Sequence, residues 1–233
     1  MKKLLLPFFV VVSLVGIIVW QLVWSYAANY YIVSVALLVL SMIPFLLSFE
    51  GGKKSAGEIT LVATMIALAV VSRGVFYLIP QVKPIAAVVI VAGVCLGAER
   101  GYIVGAFSAF ISNFIFGQGY WTPFQMVALG LVGLLAGLLF KTGRVERWSL
   151  GLFGFLSAFL LYGAIVDMST VLMTCGNNPT LASVLAVYGA GVPFSLVFGI
   201  TTAVFLWLFG MPFVSKIQRV ITKYDIIKNK DSR

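Results

Sequence analysis

Apolar residues in this chain come in long runs separated by short polar breaks. The runs cover roughly residues 4–24, 30–49, 59–79, 85–98, 102–116, 124–140, 150–173 and 181–209. Most of them reach the ~20 residues that a helix needs to cross the hydrocarbon core of a bilayer. The pattern predicts an all-α, polytopic membrane protein. The runs 85–98 and 102–116 are short and are parted only by Glu99, Arg100 and Gly101. They can be read as two helices or one, which makes the count eight or seven.

The basic residues choose between these counts, because positive charge collects on the cytoplasmic side of a membrane protein. With eight spans and both ends inside, all of the 16 basic residues except Arg73 and Lys83 fall on the cytoplasmic side. With seven spans, the loop from Lys141 to Arg147 and the basic C-terminal tail cannot both lie on the side chosen by Lys53 and Lys54. Eight spans are therefore expected, with both termini cytoplasmic. Lys2 and Lys3 before the first run and Ser25, Tyr26 and Ala27 after it resemble a secretory leader. The run exceeds the ~7–15 apolar residues usual there, and Trp20 and Trp24 suit an interfacial belt, so a retained span is favoured. The polar stretch Glu50–Glu58 (EGGKKSAGE) divides the chain. Residues 1–57 are expected to form a transmembrane hairpin and cytoplasmic loop, 58–212 a six-helix substrate-binding membrane domain, and 213–233 a basic cytoplasmic tail.

Composition narrows the chemistry. At 61% hydrophobic and 10% charged residues, the chain has too little polar surface for a soluble domain. The net charge of +9 is gathered on one side, which points to anionic lipid of the bilayer rather than to nucleic acid. There is no histidine, and of the two cysteines Cys95 lies in an apolar run and Cys175 in a short polar loop. No metal site and no cofactor are expected. Residues Gly51–Ser55 (GGKKS) lack the leading glycine of a phosphate-binding loop, so the chain is not expected to be an enzyme or to carry an ATPase site of its own.

Polar groups inside a membrane are costly, which makes them candidates for function. Arg73 and Asp167 are each expected about six residues below the outer end of their spans. Asn113 is expected near the outer end of the fifth span, with Gln125 opening the sixth. Lys83, Gln118, Trp121, Thr122, Asn177 and Asn178 fall in the outer loops. This layout predicts a cavity that opens outward. Arg73 and Asp167 can equally be a structural ion pair between neighbouring helices. The stretch Phe116–Gln125 (FGQGYWTPFQ) has glycines for a tight turn, Pro123 for a first helical turn and Thr122 placed to cap it. With Tyr120 and Trp121 it reads either as an interfacial turn with an aromatic anchor or as a loop that closes over a flat ligand. Small residues four apart, at Ala63 and Ala67, Gly93 and Gly97, Gly101 and Gly105, and Gly133 and Gly137, predict close helix packing or a docking face. Three function classes remain: a substrate-capturing subunit of a transporter powered by partners, an ion-coupled carrier using Asp167, and a membrane scaffold or assembly factor.

The body of the chain, from about Glu58 to Phe209, resembles the S component of energy-coupling factor (ECF) vitamin transporters, of the variety with an extra N-terminal hairpin. The matching residues are Arg73, Phe76, Ile79, Pro80, Lys83 and Pro84, then Ala92, Gly93 and Gly97. The strongest match is Ser112, Asn113 and Phe114 with Phe116–Met126 (FGQGYWTPFQM), Gly130 and Gly133. The resemblance implies a subunit that binds a vitamin from outside, docks onto a transmembrane coupling subunit and two ATPase subunits, and topples to deliver the vitamin. The motif looks like the corrinoid-linked branch, which implies cobalamin or a related corrinoid. Tyr120 stands where the family pattern leads one to expect Pro, and Asp167 where it leads one to expect Asn. The substrate contacts implied are Arg73, Phe76, Lys83, Asn113, Gln118, Tyr120, Trp121, Thr122, Gln125 and Asp167. Ala63 and Ala67 match the small-residue motif that meets the coupling subunit.

Overall fold

A computed structural model describes residues 55–140, 145–175 and 180–226. The first two predicted spans, Lys53, Lys54, Lys141, Arg144, Asn177 and Asn178 lie outside the described residues. Six helices account for the rest: α1 (Ala56–Val75), α2 (Ile85–Leu96), α3 (Ala98–Phe116), α4 (Thr122–Leu139), α5 (Arg147–Thr174) and α6 (Leu181–Lys223). Among the described residues there is no strand. Four helices, α1, α4, α5 and α6, are long and apolar enough to cross a membrane. The protein is an all-α, multi-pass membrane protein.

The choice between one helix and two at residues 85–116 is settled by Gly97. Its φ of 92° and ψ of 170° lie in a region that is essentially open to glycine alone, so the chain breaks sharply between α2 and α3. At 12 residues, α2 is ~18 Å long, and it runs from the cavity at Ile85 to the Arg100 end of the bundle at Leu96. It is the buried centre of the fold, with Ala86, Val89, Ile90 and Ala92 fully enclosed.

The predicted close packing is realised between backbones. A Cβ on Gly93 would collide with the Gly133 carbonyl, one on Gly101 or Gly133 with the other's carbonyl, one on Gly105 with the Leu129 carbonyl, and one on Gly137 with Ala98. The α2, α3 and α4 backbones therefore touch, as small residues permit in lipid. Gly97 is the exception to its predicted pairing with Gly93. Its Cβ position is open, and it serves the turn.

Ser55 starts α1 by accepting from the Glu58 amide at 3.2 Å. The helix stops at Val75 rather than running on to Ile79. Three successive turns and the Pro80–Pro84 segment, with Gln81 at φ 60°, carry the chain to α2. Arg73 therefore sits in the last turn of α1, closer to its end than the apolar run implies. Two helices run through a π-helical turn, at Ser157–Tyr162 in α5 and at Leu206–Gly210 in α6. α6 is 43 residues long, or ~65 Å, about twice the ~30 Å hydrocarbon thickness. Its last part, Met211–Lys223, is amphipathic: Val214 and Ile217 are buried while Lys216, Arg219 and Lys223 are exposed. Arg100 at the start of α3 donates to Glu58 of α1 at 2.8 Å. This ties the ends of the two helices opposite Arg73 and Asn113.

Candidate ligand-binding site

A cavity of about 250 Å³ lies at the junction of α1, α2, α4, α5 and α6, just under the ~300–1,000 Å³ of typical small-molecule sites. Arg73 reaches it from the end of α1. Gln81 and Lys83 come from the following loop, Gln125 from the first turn of α4, Tyr162 and Asp167 from α5, and Gly191, Phe194, Ser195 and Phe198 from α6.

One wall is organised by a chain of hydrogen bonds with a fixed direction. Arg73 Nη1 donates to Ser112 Oγ at 2.6 Å and to Asn113 Oδ1 at 2.8 Å. Because a guanidinium can only donate, Oδ1 must face it, and the Asn113 Nδ2 turns the other way. That Nδ2 donates to Gln125 Oε1 at 2.9 Å and to Thr122 Oγ1 at 3.0 Å. Thr122 Oγ1 in turn donates to Gln118 Oε1 at 2.9 Å and accepts from the Gly119 amide, and Gln118 Nε2 donates to the Phe110 carbonyl. With its Oε1 occupied, Gln125 presents its Nε2 to the cavity beside the Tyr162 hydroxyl. Asn113 is fully buried, and the guanidinium of Arg73 lies 4.9 Å from the centre of the Phe116 ring.

Thr122 does not cap α4 as its position predicts. It is the first helical residue, the cap position belongs to Trp121, and no side chain caps the helix. The Thr122 hydroxyl is instead the junction that holds the 117–121 loop to Asn113.

The ten predicted contacts divide into three groups. Arg73, Lys83, Gln125 and Asp167 line the cavity. Asn113, Gln118 and Thr122 stand behind it as the network that orients Arg73 and Gln125. Phe76, Tyr120 and Trp121 are absent from the lining. Phe76 packs edge-on against Phe205 at 5.2 Å, and Trp121 meets Tyr120 edge-on at 4.8 Å and lies over Gly119. Arg73 and Asp167 share the cavity without forming an ion pair, since Arg73 spends Nη1 on Ser112 and Asn113. The sequence reading missed Tyr162 and the α6 wall. The signal was present as Gly191, Phe194, Ser195 and Phe198, which fall on one helical face. It was hidden inside a run that is apolar on all sides.

On the Lys83 side, burial first and then the neighbouring Arg73 charge hold the ammonium below its ordinary pKa. The cavity can therefore offer donors from Arg73, Gln125 and Lys83, an acceptor from Asp167, and flat apolar surface from Phe194 and Phe198. That set joins hydrogen-bond donors, one carboxylate acceptor and aromatic faces around a single cavity. Among the described residues no cluster of His, Cys, Asp or Glu could hold a metal.

No curated protein and no solved structure gives a significant match. A sequence-family profile described as ECF-type riboflavin transporter, S component, matches residues 53–219. That span is most of the chain and contains all six helices except the end of α6. The protein belongs to the family of ECF-type riboflavin transporter S components, which are substrate-binding subunits of vitamin transporters and not themselves enzymes.

Proposed function

We propose that this chain captures a flavin-class vitamin from the outer side of the membrane and hands it to an ECF coupling subunit and its two ATPases for uptake. The cavity carries this reading. It joins donors, one acceptor and aromatic surface in a space of about 250 Å³, at the end of the bundle remote from Arg100, Lys216, Arg219 and Lys223. The positive-inside rule supports an outward-facing cavity with both termini in the cytoplasm.

The family description favours a flavin. The corrinoid implied by the FGQGYWTPFQM motif is the second reading. A corrin macrocycle with its nucleotide arm is far bulkier than an isoalloxazine ring, and a cavity of this size is small for it. Tyr120 and Trp121, which that reading would use, pack on their own loop.

Ala63 and Ala67 are exposed on α1 beside Thr60 and Thr64, whose hydroxyls are satisfied within the helix at 2.9 and 2.8 Å. This smooth strip is the proposed contact with the coupling subunit. The domain limits 58–212 follow from the same reading. A secondary carrier would need Asp167 to exchange a coupling ion, and a scaffold would need no cavity at all.

The test is purification of the full chain and identification of the bound compound by absorbance and mass. A flavin spectrum is expected. A red corrin spectrum would replace the flavin with the second reading. Absence of any ligand, together with unchanged vitamin uptake in a deletion strain, would overturn the capture role.

A further inference from the structure

The last part of α6 crosses the end of the bundle remote from the cavity. Leu150, in the first turn of α5, lies over Gly210. The Val214 carbonyl accepts from the thiol of Cys95, in the last turn of α2, at 3.8 Å. Ile226 packs on Gly57, and its carbonyl accepts from Ser55 Oγ at 3.1 Å, at the start of α1. Residues 210–226 thus touch α5, α2 and α1 in turn, each at its Arg100 end. From Gly210 to Lys223 the helix rises ~20 Å, which matches two steps between neighbouring helix axes of ~8–10 Å each. The π-helical turn at Leu206–Gly210 and Pro212 lie just before the crossing, and both are usual causes of a bend.

The crossing segment has two faces. Val214 and Ile217 are buried and Ile221 packs against the core, so its apolar side is occupied by the bundle. Lys216, Arg219 and Lys223 follow the same helical spacing on the opposite side and are exposed. Among the described residues no carboxylate forms an ion pair with any of them. A second feature marks the depth of this end. Trp148 and Trp207 are both exposed, with ring centres 5.9 Å apart, and the Arg147 guanidinium lies 5.3 Å from the centre of the Trp207 ring. Exposed tryptophans collect at the headgroup level of a bilayer. Trp207 precedes Met211 by about one turn, so the crossing begins at that level and continues across it.

We propose that this end of the bundle is a binding surface for anionic phospholipid, whose headgroup phosphates meet Lys216, Arg219, Lys223 and Arg147. Basic residues at the membrane surface attract anionic lipid, and the two tryptophans place these residues at the right depth. An acidic protein face would satisfy the cations but leaves the exposed Trp148 and Trp207 without a partner. The segment bridges α5, α2 and α1, so lipid bound to its outer face stabilises the packing of all three by mass action. The surface is separate from the cavity and does not depend on the capture role or on the compound captured.

The test uses the full chain purified in detergent, as wild type, as Lys216→Gln, Arg219→Gln and Lys223→Gln combined, and as Lys216→Arg and Lys223→Arg combined. Each is titrated with phosphatidylglycerol or phosphatidylcholine dispersed in the same detergent. Thermal midpoints and bound lipid, counted by native mass spectrometry, are read at each step. Phosphatidylglycerol should raise the wild-type Tm and remain bound, and phosphatidylcholine should do neither. Each basic residue near an anionic surface contributes about fivefold in affinity, so the glutamine variant should need at least tenfold more phosphatidylglycerol for the same rise. The arginine variant should respond as wild type does. Added salt should weaken the wild-type response, which tests the charges even if the glutamine variant fails to fold. The surface is overturned if the two lipids act alike on the wild type, if salt leaves the response unchanged, or if the folded glutamine variant responds as wild type. It is also overturned, in favour of an acidic protein face, if the wild type ignores phosphatidylglycerol while the glutamine variant loses a co-expressed coupling subunit.

Discussion

Arg73 fixes the orientation of Asn113. The guanidinium donates to Asn113 Oδ1 across a 2.8 Å bond, and a group that can only donate leaves the amide one choice. Asn113 is buried, so its Nδ2 must also find partners, and Gln125 and Thr122 supply them. The polarity set at the end of α1 is thereby passed through α3 to the first turn of α4, where it decides which atom of Gln125 meets the cavity.

Asn113→Asp tests this relay with almost no change in shape. The carboxylate still accepts from Arg73 but faces Gln125 Oε1 with an oxygen, and Gln125 turns its amide over. The cavity then meets an acceptor where it had a donor. One charge-assisted or buried hydrogen bond is worth about 1.5–3 kcal/mol, or roughly 10–150-fold in affinity. Calorimetric titration should show ligand affinity reduced in that range for Asn113→Asp and Asn113→Ala, with membrane insertion unchanged. Unaltered affinity in the Asp variant would mean that the direction of the Gln125 amide is immaterial.

Gly133→Ala should destabilise the bundle. Its Cβ would overlap the Gly101 carbonyl and come within 2.9 Å of Val89 Cγ1. The first obstacle is backbone and cannot rotate away. Overpacking of this kind costs about 1–3 kcal/mol. Thermal unfolding in detergent should show a lower Tm for Gly133→Ala than for Gly189→Ala, where nothing lies near the added carbon. Equal midpoints would show that α3 and α4 can separate at little cost.

The glycines, Asn113 and Gln125 were legible because each breaks the local pattern: small or amide residues stand out within an apolar run. The division of residues 85–116 was legible only as a choice, because hydropathy cannot tell a charged turn from a charged helical face. Gly97 decides it through a backbone angle that no composition reports. The packing of Trp121 was hidden for a related reason. Its type fits a ligand lid, but Gly119 offers its ring a closer surface, and proximity in the loop won. Tyr162 and Ser195 were missed because both sit in runs whose lipid face and cavity face are equally apolar.

Lys83 gives the site a pH dependence. Burial and the Arg73 charge lower its pKa from the ordinary 10.5. Between the lowered value and 10.5 the unfolded chain binds more protons than the folded one, so the ligand-free protein gains stability as pH rises through that interval. Ligand binding runs the other way. An acceptor held by Lys83 needs the ammonium, so affinity should fall over the same interval. Lys83→Arg, charged throughout, should flatten the fall in affinity. Titrations at neutral and alkaline pH check both signs, and an identical profile in the Arg variant would remove Lys83 from ligand contact.

The strip at Ala63 and Ala67 separates capture from delivery. Both residues are exposed on α1, on the side away from Met65 and Ala69, which are fully buried. Replacing both alanines with leucine adds bulk to a surface that the described residues leave open, so their packing should be unaffected. If α1 meets the coupling subunit there, close helix approach is lost. Vitamin uptake in cells carrying the ATPases and the coupling subunit should then fall to background, while the purified variant binds ligand as wild type does. Co-purification with the coupling subunit should fall in parallel with uptake. Normal uptake in the double variant would move the docking face elsewhere, and the exposed Leu68 and Val71 edge of the same helix would be the next surface to alter.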